Sequence, residues 1–212
     1  MMMNKITVTL KQAGKRFNRE WIFRKLEYQF KTGEYYAITG SNGTGKSTLL
    51  QCIAGSTSLN EGSLEITSTD ASSIITPDEI YKQIAICAPY LELVEEMSAL
   101  EMLQFHQQFK PLIPQHTIEE IISIVGLSKA SHKQIRQFSS GMKQRIKLAQ
   151  AIFSDTPILL LDEPCTNLDK EGYALYHQLV QNYCKNKLVI ICSNDENEID
   201  FCKERLNIIN YK

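Results

Sequence analysis

Residues 40–48 read Gly-Ser-Asn-Gly-Thr-Gly-Lys-Ser-Thr, and no other stretch restricts the possible folds of this chain as tightly. The nonapeptide contains G-x-x-x-x-G-K-[ST], with Gly40, Gly45, Lys46 and Ser47 in the fixed places. Ser41, Asn42, Gly43, Thr44 and Thr48 complete the loop. A buried-strand pattern, Tyr35–Thr39, precedes it, and a helical pattern over 46–54 follows. Glycines let the backbone curl until successive N–H groups point inward, as phosphate oxygens require. The helix start adds amides with no partner inside the helix and the positive end of its dipole. Lys46 supplies a point charge for β- and γ-phosphates, and the Ser47 hydroxyl is a hard oxygen ligand suited to Mg²⁺. The loop therefore predicts an α/β chain that binds a nucleotide.

Residues 158–164 read Ile-Leu-Leu-Leu-Asp-Glu-Pro. Four consecutive apolar residues suit a parallel strand covered on both faces. In open α/β sheets ligands sit beyond the carboxyl ends of the strands, which is where Asp162 and Glu163 fall. Asp162 suits Mg²⁺, held through water, and Glu163 suits an attacking water.

The remaining pattern gives strands at both ends of the chain and helices in the middle. Strand signals occur at 6–10, 26–30, 63–66, 74–75, Ile84–Cys87, Leu188–Cys192 and 206–209. Helical signals occur at 98–109, 117–125, 141–153, Lys170–Tyr183 and 195–201, separated by Pro111, Pro114, Gly126 and a Ser-rich turn. This predicts an α/β core with a helical insertion. No stretch approaches the ~18–20 apolar residues of a bilayer span. The first twelve residues lack the apolar run of a signal peptide, so the chain is expected in the cytosol. Lys plus Arg is 23 and Asp plus Glu is 24, a net charge of −1, which argues against a nucleic-acid partner. The six cysteines (52, 87, 165, 184, 192 and 202) form no C-x-x-C pair and read as packed thiols.

Between the two acidic and phosphate-loop motifs stands Phe-Ser-Ser-Gly-Met-Lys-Gln-Arg at 138–145, and Thr-Asn-Leu-Asp follows the acids at 166–169. The ordered set resembles the ATP-binding cassette (ABC) family across essentially the whole chain. The resemblance implies a P-loop NTPase core with a mixed or parallel sheet, an N-terminal antiparallel β portion and a helical subdomain. It sets one domain over 1–212, with a nucleotide core at about 1–88 and 155–212 and the helical subdomain at about 89–154. Ser139, Ser140, Gly141 and Met142 match the family's signature loop, which caps the γ-phosphate held by a partner cassette. Asp169 lies in the matching D-loop, and Phe17, 23 residues before Gly40, matches the aromatic that stacks on adenine. The same 138–145 segment also reads as a Ser/Gly cap opening an amphipathic helix, and both readings hold together. Lys143, Arg145 and Lys147 read as a solvated face of that helix.

Two positions depart from the family. Asn194, in Ile-Cys-Ser-Asn-Asp-Glu, stands where the family has a switch histidine. Its amide can donate to a γ-phosphate but cannot carry a proton. Tyr90 stands nearest to the place of the family's Q-loop glutamine, and no Gln lies between 84 and 103. The expected activity is ATP hydrolysis with Mg²⁺, slowed by these replacements, with Glu163 and Asn194 as catalytic residues. The expected partners are a second cassette, identical or different, and an integral-membrane permease that holds the chain at the cytoplasmic face. Two other functions fit the motifs. One is a weakly hydrolytic regulatory cassette of a heterodimer, and the other is a soluble non-transport ABC ATPase.

Overall fold

Alternation in the central strands explains the layering. Leu159 and Leu161 of β7 (Ile158–Asp162) pack with Val189 and Ile191 of β8 (Leu188–Cys192) in one apolar cluster. Ile158, Leu160, Leu188 and Ile190 pack in a second. Successive side chains of a strand point to opposite faces, so a run buried throughout must be covered on both. The computed structural model describes residues 5–68 and 73–212, so the first four residues of the expected core segment lie outside the described part.

Those strands belong to a five-stranded, wholly parallel sheet. Its order is β6 (Ile84–Cys87), β7, β8, β3 (Tyr35–Thr39), β9 (Glu204–Asn207). One face carries the helices α3 (Ala99–Phe109), α4 (Ile118–Ile124), α5 (Ser140–Ile152) and α6 (Lys170–Tyr183). The other face carries α1 (Lys46–Ile53) and an antiparallel sheet in the order β2 (Glu20–Lys31), β1 (Ile6–Phe17), β4 (Glu61–Ser68), β5 (Ser73–Ile74). Two single-turn helices, α2 (Ile80–Gln83) and α7 (Glu196–Ile199), also occur among the described residues.

The helical middle has no core of its own. Its buried residues Leu103, Ile121 and Ile146 share one cluster with Leu159 and Ile191 of the sheet. Burying one such side chain is worth about 1.5–3 kcal/mol, so the helices and the sheet face stabilise each other. α3 and α4 start on capping boxes, Ser98 with Glu101 and Thr117 with Glu120, which satisfy two first-turn amides and fix where each helix begins. The 206–209 strand expected from the sequence lies two residues earlier, at Glu204–Asn207. Ile208–Tyr211 closes as a 3-10 turn, with the Asn207 side chain accepting from the Ile209 amide. All six cysteines are free and buried, and burial pushes their thiols up, Cys87 to about 12.

Candidate active site

The sheet order brings the motifs together. β8 lies between β7 and β3, and Asp162, Cys192 and Ile38 sit at one level across the three strands. Asp162 and Glu163, Ser193 and Asn194, and Gly40 therefore leave the carboxyl ends of adjacent strands side by side.

The phosphate loop is closed by its own side chains. Thr44 Oγ1 donates to Ser41 O at 2.7 Å, and Lys46 Nζ donates to Gly40 O at 2.7 Å and to Ser41 O at 3.4 Å. Lys46 is buried, while Ser41, Asn42 and Gly43 are exposed and Ser47 and Thr48 are half-buried. Gly45 has φ +105°, and a Cβ there would lie 2.1 Å from Ile22 Cγ2. Gly40 has φ +144°, and a Cβ would lie 2.8 Å from Thr44 Oγ1. Both places thus demand glycine. Gly45 also caps α1, whose first-turn amides face the loop with no partner inside the helix.

Asn194 braces this loop. Its Oδ1 accepts from Gly40 N at 3.3 Å and its Nδ2 donates to Asn42 Oδ1 at 3.0 Å. Asp162 is 2% exposed, its Oδ1 has no hydrogen-bond partner, and the Ser47 hydroxyl lies against its carboxylate. Burial pushes the Asp162 carboxyl above its ordinary range, and Ser47 and Lys46 draw part of that shift back. Glu163 is exposed and sits at φ +45°, with its N–H on Cys192 O at 2.9 Å. Such a conformation is uncommon for a non-glycine residue and persists only where its surroundings impose it.

Phe17 ends β1 at a two-residue turn through Asn18 (φ +53°) and Arg19. Its ring is 50% exposed, with Lys15 Nζ 4.9 Å from the ring centre, so Phe17 is not a core residue. Tyr90 is 46% exposed, and its hydroxyl meets the Gln51 side chain of α1.

Ser139, Ser140, Gly141 and Met142 line a separate cleft of about 830 Å³ with Arg145, Asn167, Leu168 and Asp169. Ser139 caps α5 by accepting from Met142 N at 3.3 Å, and Asp169 caps α6 by accepting from Gly172 N at 2.8 Å. A Cβ on Gly141 would lie 3.1 Å from Asn167 O, so the two segments touch through backbone. One chain does not place this cleft against its own phosphate loop: none of the loop residues 40–48 line it.

The half-buried basic side chains of α5 make surface contacts. Lys143 pairs with Glu95, Lys147 Nζ donates to Pro89 O at 3.2 Å, and Arg145 reaches Val125 O at 3.4 Å and Asp169 at 3.9 Å. These side chains tie the 89–95 segment and the D-loop to α5. The sequence reading also missed Gln144 and Glu198, both buried. The one available signal was an amide and a carboxylate placed five residues after Ser139 and four after Asn194.

Comparison with known proteins agrees with this geometry. The family described as "ABC transporter" matches residues 23–166. The "Uncharacterized ABC transporter ATP-binding protein YybJ" of Bacillus subtilis is 32% identical over 186 residues, 87% of this chain and 84% of that protein. The "Cytochrome c biogenesis ATP-binding export protein CcmA" of Xylella fastidiosa is 35% identical over 159 residues, 75% of this chain and 70% of its own. A solved dimer described as the post-hydrolysis state of an ATP-binding cassette bound to ADP and Pi superposes with a TM-score of 0.79. It is 24% identical and covers 95% of this chain and 94% of its own. On its matched residues, its relatives and its fold, this chain belongs to the ABC transporter family, among the ATP-binding proteins of that family.

Proposed function

We propose that this chain is the ATP-hydrolysing subunit of an ABC transporter, driving a separate membrane permease by ATP-dependent closure of two cassettes. The observation that carries this reading is the convergence of Gly40–Thr48, Asp162, Glu163 and Asn194 at the carboxyl ends of three adjacent strands. Lys46, now folded onto two loop carbonyls, exchanges them for the β- and γ-phosphates when ATP binds, and the α1 amides take the remaining oxygens. Phe17 offers an exposed ring to the adenine. Ser47 and Asp162 fit Mg²⁺, because the buried Asp162 Oδ1 lacks a partner and the Ser47 hydroxyl stands beside it. Held there, such an ion would supply charge neutralisation for the transferring phosphoryl group. Glu163 orients the attacking water and accepts its proton. Asn194 turns its amide N–H from Asn42 to the γ-phosphate.

Removing one preorganised donor typically costs about 10²–10³ in rate. The Asn194 amide recovers part of what a switch histidine supplies, so turnover is slow. That uncharged brace also favours a second reading, a weakly hydrolytic regulatory cassette paired with a more active one.

Two further features support the assembly. The Ser139–Met142 cleft is built with Asp169 and apart from the chain's own phosphate loop, as needed if it caps nucleotide on a second cassette. Among the described residues, no helix is long and apolar enough to cross a membrane. The proposed permease would hold this chain at the cytoplasmic face. A cleft of about 410 Å³ lined by Gln51, Tyr81, Tyr90, Leu91 and Lys110 suits a permease helix. The test is Glu163→Gln, which is expected to bind ATP, lose turnover and accumulate as an ATP-dependent dimer on gel filtration. A variant that stays monomeric with Mg-ATP, with and without its permease, would contradict the closure.

A further inference from the structure

One peptide unit of this fold, joining Pro164 to Cys165, has both of its polar atoms held by buried side chains from distant elements. Gln144 Nε2 on α5 donates to Pro164 O at 2.7 Å, and Glu198 Oε1 on α7 accepts from Cys165 N at 2.8 Å. Gln144 is 4% exposed and Glu198 is 3% exposed. Burying an amide and a carboxylate is costly unless their hydrogen bonds are made. Burial pushes the Glu198 carboxyl above its ordinary range, and Ser193 and the Cys165 N–H draw part of that shift back.

The position of this unit in the chain gives it its importance. Glu163 immediately precedes Pro164 and sits at φ +45°. Its own N–H is held by Cys192 O at 2.9 Å. The Pro164 ring fixes one torsion, and the bracketed peptide plane fixes the next. The Glu163 backbone is therefore gripped on both sides, which lets it keep a conformation it would otherwise leave. We infer that Gln144 and Glu198 are paired positioning residues that hold the Pro164–Cys165 peptide and through it aim the Glu163 carboxylate. This rests on the proposed role of Glu163 as the water-orienting group. Gln144 follows the Ser139–Met142 segment and Glu198 follows Asn194, so these two segments are anchored to one peptide.

Glu198→Asp and Gln144→Asn each shorten one arm by a methylene and keep its polar group. Each is expected to lower kcat about tenfold or more while KM for Mg-ATP stays within about twofold. Glu198→Gln keeps a full-length acceptor and should rescue the rate to within about threefold of the unaltered chain. Because both arms act on one peptide, the double variant should lie near the slower single variant and not at the product of the two. Thermal unfolding and ATP titration on the same samples establish that each variant is folded and loaded. If Gln144→Asn does not fold, the comparison of Glu198→Asp with Glu198→Gln decides alone. Equal rates for those two, an active Asp variant beside an inactive Gln variant, or multiplicative losses in the double variant would overturn the inference. Wild-type turnover with unaffected variants removes this inference and leaves the proposed function standing. A wild-type chain that does not hydrolyse ATP removes both.

Discussion

Asn194 reaches back from the end of β8 to both sides of the phosphate loop, accepting from Gly40 N and donating to Asn42 Oδ1. An imidazole at that place can hold a proton and a positive charge at neutral pH, whereas an amide cannot. Asn194→His is therefore expected to raise the ATPase rate and to make it fall as pH rises through the imidazole pKa. Steady-state rates between pH 6 and 9 check this, and an unchanged or lower rate would mean that the site is built around asparagine. Lys46 and Gly45 were legible in the sequence because the loop's chemistry admits few alternatives at those places. The brace made by Asn194 was not, because its partners lie 154 and 152 positions away. Gln144 and Glu198 were illegible for a related reason. A polar residue in a charged segment reads as surface, and only the packing of α5 and α7 against the Glu163 turn buries it.

At the scale of elements, the β3–loop–α1 unit is the part most fully specified by local sequence. Its glycines are held by contacts, since a Cβ on Gly45 would meet Ile22 Cγ2 at 2.1 Å while φ stands at +105°. Gly45→Ala should destabilise the chain by on the order of 2 kcal/mol, from the disfavoured backbone and the displaced Ile22, and should abolish ATP binding. Denaturant unfolding with a parallel nucleotide titration measures both, and a variant of unaltered stability and affinity would contradict the fit. The buried runs of β7 and β8 were readable as covered strands because every residue in them is apolar up to Asp162 and through Cys192. The last strand was displaced because Leu206 and Ile208 keep the period-two pattern while the Asn207 side chain turns the chain into a 3-10 turn. The partners of the α5 basic face were not legible for a tertiary reason: Lys143 and Lys147 find Glu95 and Pro89 O only once the 89–95 segment lies across the helix.

At the scale of the whole molecule, the residues of the proposed cycle fall in two places. Phosphate loop, acids and Asn194 gather above β3, β7 and β8, while Ser139–Met142 and Asp169 line their own cleft. The helical region shares its apolar cluster with the sheet, which packs the two places into one core. Fold and family were readable from the order of the motifs. The division of the site was implied only by resemblance, because no local pattern says which loops of one chain fail to meet. Every step of the proposed cycle depends on the loop gripping a triphosphate tail with inward-facing amides and Lys46. Calorimetric titration of Mg-ATP into the folded wild-type chain and into Lys46→Ala tests this most directly. The account predicts saturable binding at one site per chain in the wild type and its loss, or a weakening by at least about tenfold (~1.4 kcal/mol), in the variant. No binding to the wild type, or equal affinity in both, would contradict it.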